Sequence, residues 1–267
     1  MNYRHLSVMS AFLLPVLIAS CQCSSIEERS ATVALYSDHG VWDSSVTAVT
    51  NMFEWMGYTV ELVDAGYIND VGLDNFKILC VPGGDMYEYS QDISSEGKEH
   101  IRDFVRSGGG YIGICGGAYF ASEKIIWEGE EVPATFLGLF DGTAQGAIDE
   151  IAPYPDYTMC QVNIVEHSHP ITNNVGDTAW VLYYWGPMLI PSEGADVDIL
   201  GKYKPVDEPA IVAFEYGSGR VFLIGTHPEI EEDSERDGVD EMEELNDSDS
   251  EWDMMKNVTE WCLQEIE

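Results

Sequence analysis

The stretch Tyr111-Ile112-Gly113-Ile114-Cys115-Gly116-Gly117-Ala118-Tyr119-Phe120-Ala121 decides the fold. An apolar strand runs into a cysteine flanked by glycines, and small residues then open a helix. This is a nucleophile elbow of the G-x-nucleophile-x-G type. The glycines are needed because the nucleophile sits on strained backbone, where neighbouring Cβ atoms would strike the adjacent strand and helix. A helix start also presents unpaired N–H groups, which favour a thiolate over a thiol.

Working outward, a helix over about Gly97–Arg106 leads through Gly108-Gly109-Gly110 into the elbow strand. Before it, Phe76 to Val81 is a continuous apolar strand ending in Pro82-Gly83-Gly84-Asp85. Thr59–Val63 and Ala31–Tyr36 read as two further strands. A helix between them runs through Val46, Val49, Met52, Phe53 and Met56, with Ser44 or Ser45 positioned to cap it and Gly57 to stop it. Alternation of this kind implies right-handed crossovers and an α/β fold, with a mostly parallel central sheet covered on both faces.

The second half has more β character: Met159–Val165, Trp180–Tyr184, Val197–Tyr203 and Ala210–Glu215. Gly217-Ser218-Gly219 is a hairpin turn into Arg220–Gly225. A last helix, Ser250–Ile266, puts Trp252, Met255, Val258, Trp261 and Cys262 on one face, which is the pattern of a core helix. No repeat or linker divides the chain, so 31–267 is expected to be one domain.

Two segments support the elbow chemically. The glycine N–H groups in Pro82-Gly83-Gly84, at the end of a neighbouring strand, are placed to face Cys115, so Gly84 and Gly116 are candidates for holding an oxyanion. His227-Pro228-Glu229, at another strand's carboxyl end, supplies a base whose tautomer a carboxylate can fix. Catalysis is thereby assigned to Cys115, His227 and Glu229, each where open α/β sheets build their sites. Tyr119 and Tyr184 are the tentative pocket residues, with Tyr183 and Trp185 beside them. No Cys/His spacing indicates a metal, and no motif indicates a cofactor.

Together, Val81-Pro82-Gly83-Gly84, the elbow through Ala121, and Gly225-Thr226-His227-Pro228-Glu229 resemble the class I glutamine amidotransferase-like superfamily. Within it the sequence is most similar to the domain family named after the N-terminal domain of yeast-type biotin–protein ligase. Leu137–Gly146 and Tyr183-Tyr184-Trp185-Gly186-Pro187 also resemble segments of that family. The resemblance implies a flavodoxin-like three-layer sandwich, with Cys115 as nucleophile, His227 as base and Glu229 as its orienting partner. Glutamine-hydrolysing members usually carry His-Gln after the elbow, where this chain has Ala118-Tyr119. The expected activity is therefore hydrolysis of a small amide or peptide-type substrate. A non-catalytic binding module on the same fold, and a glutaminase working with a separate partner, are the alternatives.

The chain carries 48 acidic residues against 12 basic ones, a formal net charge of -36. That balance excludes nucleic acid as a partner, since phosphates would be repelled. It suits solutions of high salt, where screening over a few ångströms removes self-repulsion; a soluble acidic protein with an acidic loop over 230–250 is the plainer reading. At the N-terminus, residues 1–20 read as a signal peptide whose apolar core, Val8–Ala19, is too short to span a bilayer. Leu17-Ile18-Ala19-Ser20-Cys21 resembles the lipobox of prokaryotic lipoproteins, which implies lipid on Cys21, a tether over 21–30, and an extracytoplasmic, membrane-anchored protein. Membrane contact is expected through that lipid only. Cys80 lies in an apolar run and is expected to be a core residue, while a Cys160–Cys262 disulfide is left open.

For a protein built for high salt, the melting temperature should rise steadily between dilute buffer and molar salt. A melting temperature greatest in dilute buffer would reject that adaptation.

Overall fold

The computed structural model describes residues 32–231, 235–245 and 250–264. The expected signal peptide, tether and Cys21 lie outside the described residues.

Thirteen strands and six helices follow one another as β1 (Val33–Tyr36), α1 (Asp43–Trp55), β2 (Val60–Val63), α2 (Ala65–Asp70), β3 (Ile78–Val81), α3 (Met86–Asp92), α4 (Ser95–Arg106), β4 (Gly110–Ile114), α5 (Gly116–Ala121), β5 (Ser122–Trp127), β6 (Glu130–Glu131), β7 (Phe140–Gly146), β8 (Thr158–Ile164), β9 (Thr178–Tyr183), β10 (Met188–Pro191), β11 (Asp198–Tyr203), β12 (Glu208–Tyr216), β13 (Gly219–Ile224) and α6 (Trp252–Cys262). The main sheet has nine strands in the order β2-β1-β3-β4-β13-β12-β11-β8-β9. Its first five are mutually parallel, and an antiparallel extension continues from β12. The β12–β13 hairpin turns at Gly217-Ser218, with Tyr216 opposite Gly219, as the glycines foretold.

Strand residues alternate between two cores, which makes the sandwich three-layered. Val33, Leu35, Ile78, Cys80, Ile112 and Ile114 face α1 and α6; Ala34, Leu79, Val81 and Tyr111 face α2 to α5. Because β1, β3 and β4 are covered on both faces, they read as unbroken apolar runs, whereas the edge strand β2 exposes Glu61 and Leu62. On α6 the predicted face of Trp252, Met255, Val258, Trp261 and Cys262 is buried. Cys80 is a buried core residue, and Cys160 and Cys262 are free thiols, so the possible disulfide between them is absent.

A second sheet, β10-β7-β5-β6, has no counterpart in the sequence reading. The helices α2 and α3 are also additions, capped by Asp64, which accepts from Tyr67 N at 2.6 Å, and Asp85, which accepts from Tyr87 N at 2.8 Å. One expectation is corrected here. The N-cap of α1 is Trp42, without a side-chain bond, and neither Ser44 nor Ser45 caps it. Ser45 instead lies inside the first turn, fully buried.

Part of the acidic run is packed. Val239 and Met242 are buried against Ala48, Leu182 and Ile230, with Trp42 and Tyr184 alongside. Arg236 stacks 4.1 Å from the Trp252 ring and bonds Glu231, which ties the run to α6.

Trp252 is fully buried between α1 and the sheet. Replacing it with alanine should cost about 3–5 kcal/mol, read as a lower urea midpoint at unchanged slope.

Candidate active site

Register sets the site. Ile224 of β13 pairs with Ile114 of β4, and Val81 of β3 pairs with Gly113. Three neighbouring parallel strands thus end level, and the residues that follow them meet at one end of the sheet. Those residues are Cys115, the 82–84 turn and the 225–229 segment, as the sequence grouped them.

Cys115 adopts φ 46° and ψ -100°, strained for a residue with a Cβ. Its surroundings hold it there. The Cys115 N–H donates to Ile224 O at 2.9 Å, and its carbonyl accepts from the Ala118 and Tyr119 N–H groups at 3.0 Å each. The glycines after it are required by contact. A Cβ on Gly116 would stand 2.3 Å from Gly84 O, and one on Gly117 2.0 Å from Val81 O. The elbow therefore lies backbone-to-backbone against the Gly83-Gly84 turn, which brings the two candidate oxyanion donors, Gly84 and Gly116, together. The turn's hydrogen bonds to the loop after β1 use Gly83 O and Asp85 N, which engage Trp42 N and Gly40 O.

His227 is 1% exposed and Glu229 fully buried. The Nδ1 of His227 lies 2.9 Å from Glu229 Oε1, so the carboxylate accepts its proton and leaves Nε2 as the free ring atom. That Nε2 is buried and has no hydrogen-bond partner among the described residues. Ser45 Oγ donates to the same Oε1 at 2.5 Å and accepts from Gly83 N at 3.0 Å. A continuous line therefore runs from the turn through Ser45 and Glu229 to the imidazole. Trp252 Nε1 fixes the backbone of Glu229 through its carbonyl at 3.1 Å. Burial by itself would lower the pKa of His227, but the neighbouring charges of Cys115 and Glu229 outweigh it and raise the value to about 10.

Cys115 and His227 line a cavity of about 730 Å³ together with Gly84, Tyr119 and Tyr184. Cys115 Sγ is 3.5 Å from Tyr184 O. Tyr119 is buried, and burial pushes its hydroxyl well above the ordinary phenol range; that hydroxyl donates to Trp185 O at 2.9 Å. Tyr183 is not a pocket residue but a core one, its hydroxyl donating to Gly186 O and accepting from Ile148 N.

Sequence reading missed Ser45 as an orienting group, because a serine at a helix start looks like a cap. It also missed Trp42, whose ring stands edge-on to His227 with centroids 5.1 Å apart, and Trp127 and Tyr154 on the far wall. Next in sequence to the lining residues Gly40 and Tyr87, His39 and Glu88 come close enough to Asp92 for the three to share a cation, with the His39 side chain 69% exposed.

The profile of the family described as biotin-protein ligase, N terminal, matches residues 31–266. The chain belongs to that family. The biotin–protein ligase of Schizosaccharomyces pombe is 24% identical over 185 residues, 64% of this chain but 28% of the ligase. An uncharacterized protein of Chlamydia muridarum is 29% identical over 161 residues, 57% of this chain and 60% of that protein. The chain thus spans less than two thirds of either relative. Among solved structures, one from PurLQS of Thermotoga maritima superposes with a TM-score of 0.58 at 16% identity, covering 86% of this chain and 96% of that one. A glutamine amidotransferase from the same organism gives 0.53 at 11%, covering 88% and 89%. These likenesses show the fold, a glutamine amidotransferase-like, flavodoxin-like sandwich.

The histidine makes stability depend on pH. Its folded pKa of about 10 lies above the ordinary histidine value of 6.5, so its contribution is complete below pH 6.5 and fades as pH rises toward 10. Unfolding free energy should fall across that window, and Glu229→Gln should flatten the slope; denaturant titrations at fixed pH values check both.

Proposed function

We propose that this protein is a cysteine-dependent amide hydrolase, carried outside the cytoplasm on a lipid at Cys21. What supports the reading most is the buried line from Gly83 through Ser45 and Glu229 to His227, which lines the same cavity as Cys115. A binding site has no need to align a buried carboxylate behind a histidine; proton transfer does.

In this mechanism the thiol proton has already passed to Nε2, as the raised pKa of His227 favours, and Sγ attacks the amide carbon. The carbonyl electrons move to oxygen, held by the N–H groups of Gly84 and Gly116. Imidazolium then gives its proton to the departing amine, and the C–N bond breaks to leave a thioester on Cys115. Water, deprotonated by His227, attacks the thioester, and the acid leaves as the thiol re-forms. Glu229 keeps Nδ1 protonated throughout, and Ser45 holds Glu229 in place.

Glutamine is not the substrate proposed. Ala118 and Tyr119 stand where glutamine-hydrolysing relatives carry His-Gln, and the Tyr119 hydroxyl is engaged by Trp185 O. Nor does the family's description bring ligase activity with it, because the matched region is a fraction of the ligase. The placement outside the cytoplasm rests on the Leu17–Cys21 motif.

The test is alkylation of the native protein with iodoacetamide. Cys115 is expected to react ahead of Cys80, Cys160 and Cys262, and His227→Asn to slow it by at least about tenfold and shift its pH profile, as a lost base partner should. A Cys115 rate indifferent to His227 would leave a non-catalytic binding module instead.

A further inference from the structure

The cavity in front of Cys115 has an unusual wall. Consecutive ring neighbours run Trp42, Tyr184, Trp185, Tyr154, Trp127 and Tyr119, with centroid separations of 5.2, 4.2, 4.5, 6.3 and 5.9 Å. All six rings line the cavity, so they form a collar around it. Trp42 begins the collar against His227, and Tyr119 ends it on the elbow helix, next to the nucleophile.

The polar tips of several of these rings are already occupied. Trp42 Nε1 donates to Glu241 at 3.1 Å, Tyr119 Oη to Trp185 O at 2.9 Å, and Trp185 Nε1 to Asp156 O at 2.8 Å. What the collar offers a ligand is therefore mostly π surface. Besides His227, the charged residues lining the cavity are Asp85 and Glu128, both acidic and exposed at its mouth. No lysine or arginine is among the lining residues described. A ligand carboxylate or phosphate would meet ring faces and like charge. A neutral sugar could stack on the rings but would leave the negative charge of Asp85 and Glu128 uncompensated. An alkylammonium group would meet the negative faces of the rings and the carboxylates at the mouth, drawn in by the field of a chain with net charge -36.

We infer that the collar is a cation-binding subsite, and that the amide cleaved at Cys115 carries an alkylammonium group, quaternary or heavily substituted, seated among Trp127, Tyr154 and Trp185. The substrate part of this inference rests on the hydrolase reading; the binding part does not. Volume agrees with the assignment, since about 730 Å³ holds far more than one ammonium group and leaves room for an acyl portion beside Cys115.

The test uses full-length Cys115→Ala protein, which binds without turning over, and three probes of nearly one shape: choline, its neutral isostere 3,3-dimethylbutan-1-ol, and the anion 3,3-dimethylbutyrate. Calorimetry should show choline bound at least about tenfold tighter than the neutral isostere, with no saturable binding of the anion. Trp127→Leu should erase that preference, and Trp127→Phe should keep part of it. In the wild-type protein choline should protect Cys115 from iodoacetamide, which locates the probe. The preference should persist at about 1 M salt, where screening to about 3 Å removes the distant field and leaves ring contact. Equal affinity for choline and its isostere, or a preference lost at that salt, overturns the inference. The two proposals fail separately. His227-dependent alkylation without cation preference keeps the hydrolase and removes the subsite, and a cation preference with His227-independent alkylation does the reverse.

Discussion

A carboxylate without solvent costs several kcal/mol unless hydrogen bonds replace its water, and Glu229 is such a group. Its Oε1 gathers Ser45 from α1 and His227 from the segment after β13, while Ser45 in turn takes the N–H of Gly83 from the turn after β3. The α6 tryptophan Trp252 holds the same residue by its carbonyl. Segments far apart in sequence are thereby tied at one buried point. Moving any of them exposes the carboxylate's unmet demand, so the site's geometry and the local packing are the same constraint.

Against that hub the elbow is held from the other side. The contact between Gly116 and Gly84 leaves no space for a side chain, and the strained Cys115 backbone is secured by bonds to Ile224, Ala118 and Tyr119. Strain persists where neighbours over-determine it. Here a shared sheet register fixes β3, β4 and β13 at one level, so their following residues have few ways to sit.

Much of this was legible because parallel strands covered on both faces write themselves as apolar runs, and the elbow's glycines record a close backbone approach. Cys115, His227 and Glu229 could be grouped before any coordinates. The second sheet could not. In β7 the buried positions alternate correctly, but after Phe140 they are Gly142, Ala144 and Gly146, too small to produce an apolar alternation. Likewise α2 and α3 are too short for a helical period to emerge, although Asp64 and Asp85 stood as caps. Ser45 was misread for a related reason. A serine near a helix start serves either its own backbone or something distant, and only the tertiary fold selects Glu229. The collar was equally hidden, because its rings come from the loop after β1, from α5, from β5, from the loop between β7 and β8 and from the segment after β9.

Trp127 belongs to β5, and Tyr119 meets Gly146 of β7 so closely that a Cβ there would lie 1.9 Å from its hydroxyl. The small sheet thus supplies one ring of the collar and backs another, while the cysteine, the histidine and the glutamate follow strands of the large one. Two sheets therefore contribute to one opening. Trp127 can therefore vary in shape without touching the register of β3, β4 and β13 that brings Cys115 beside His227.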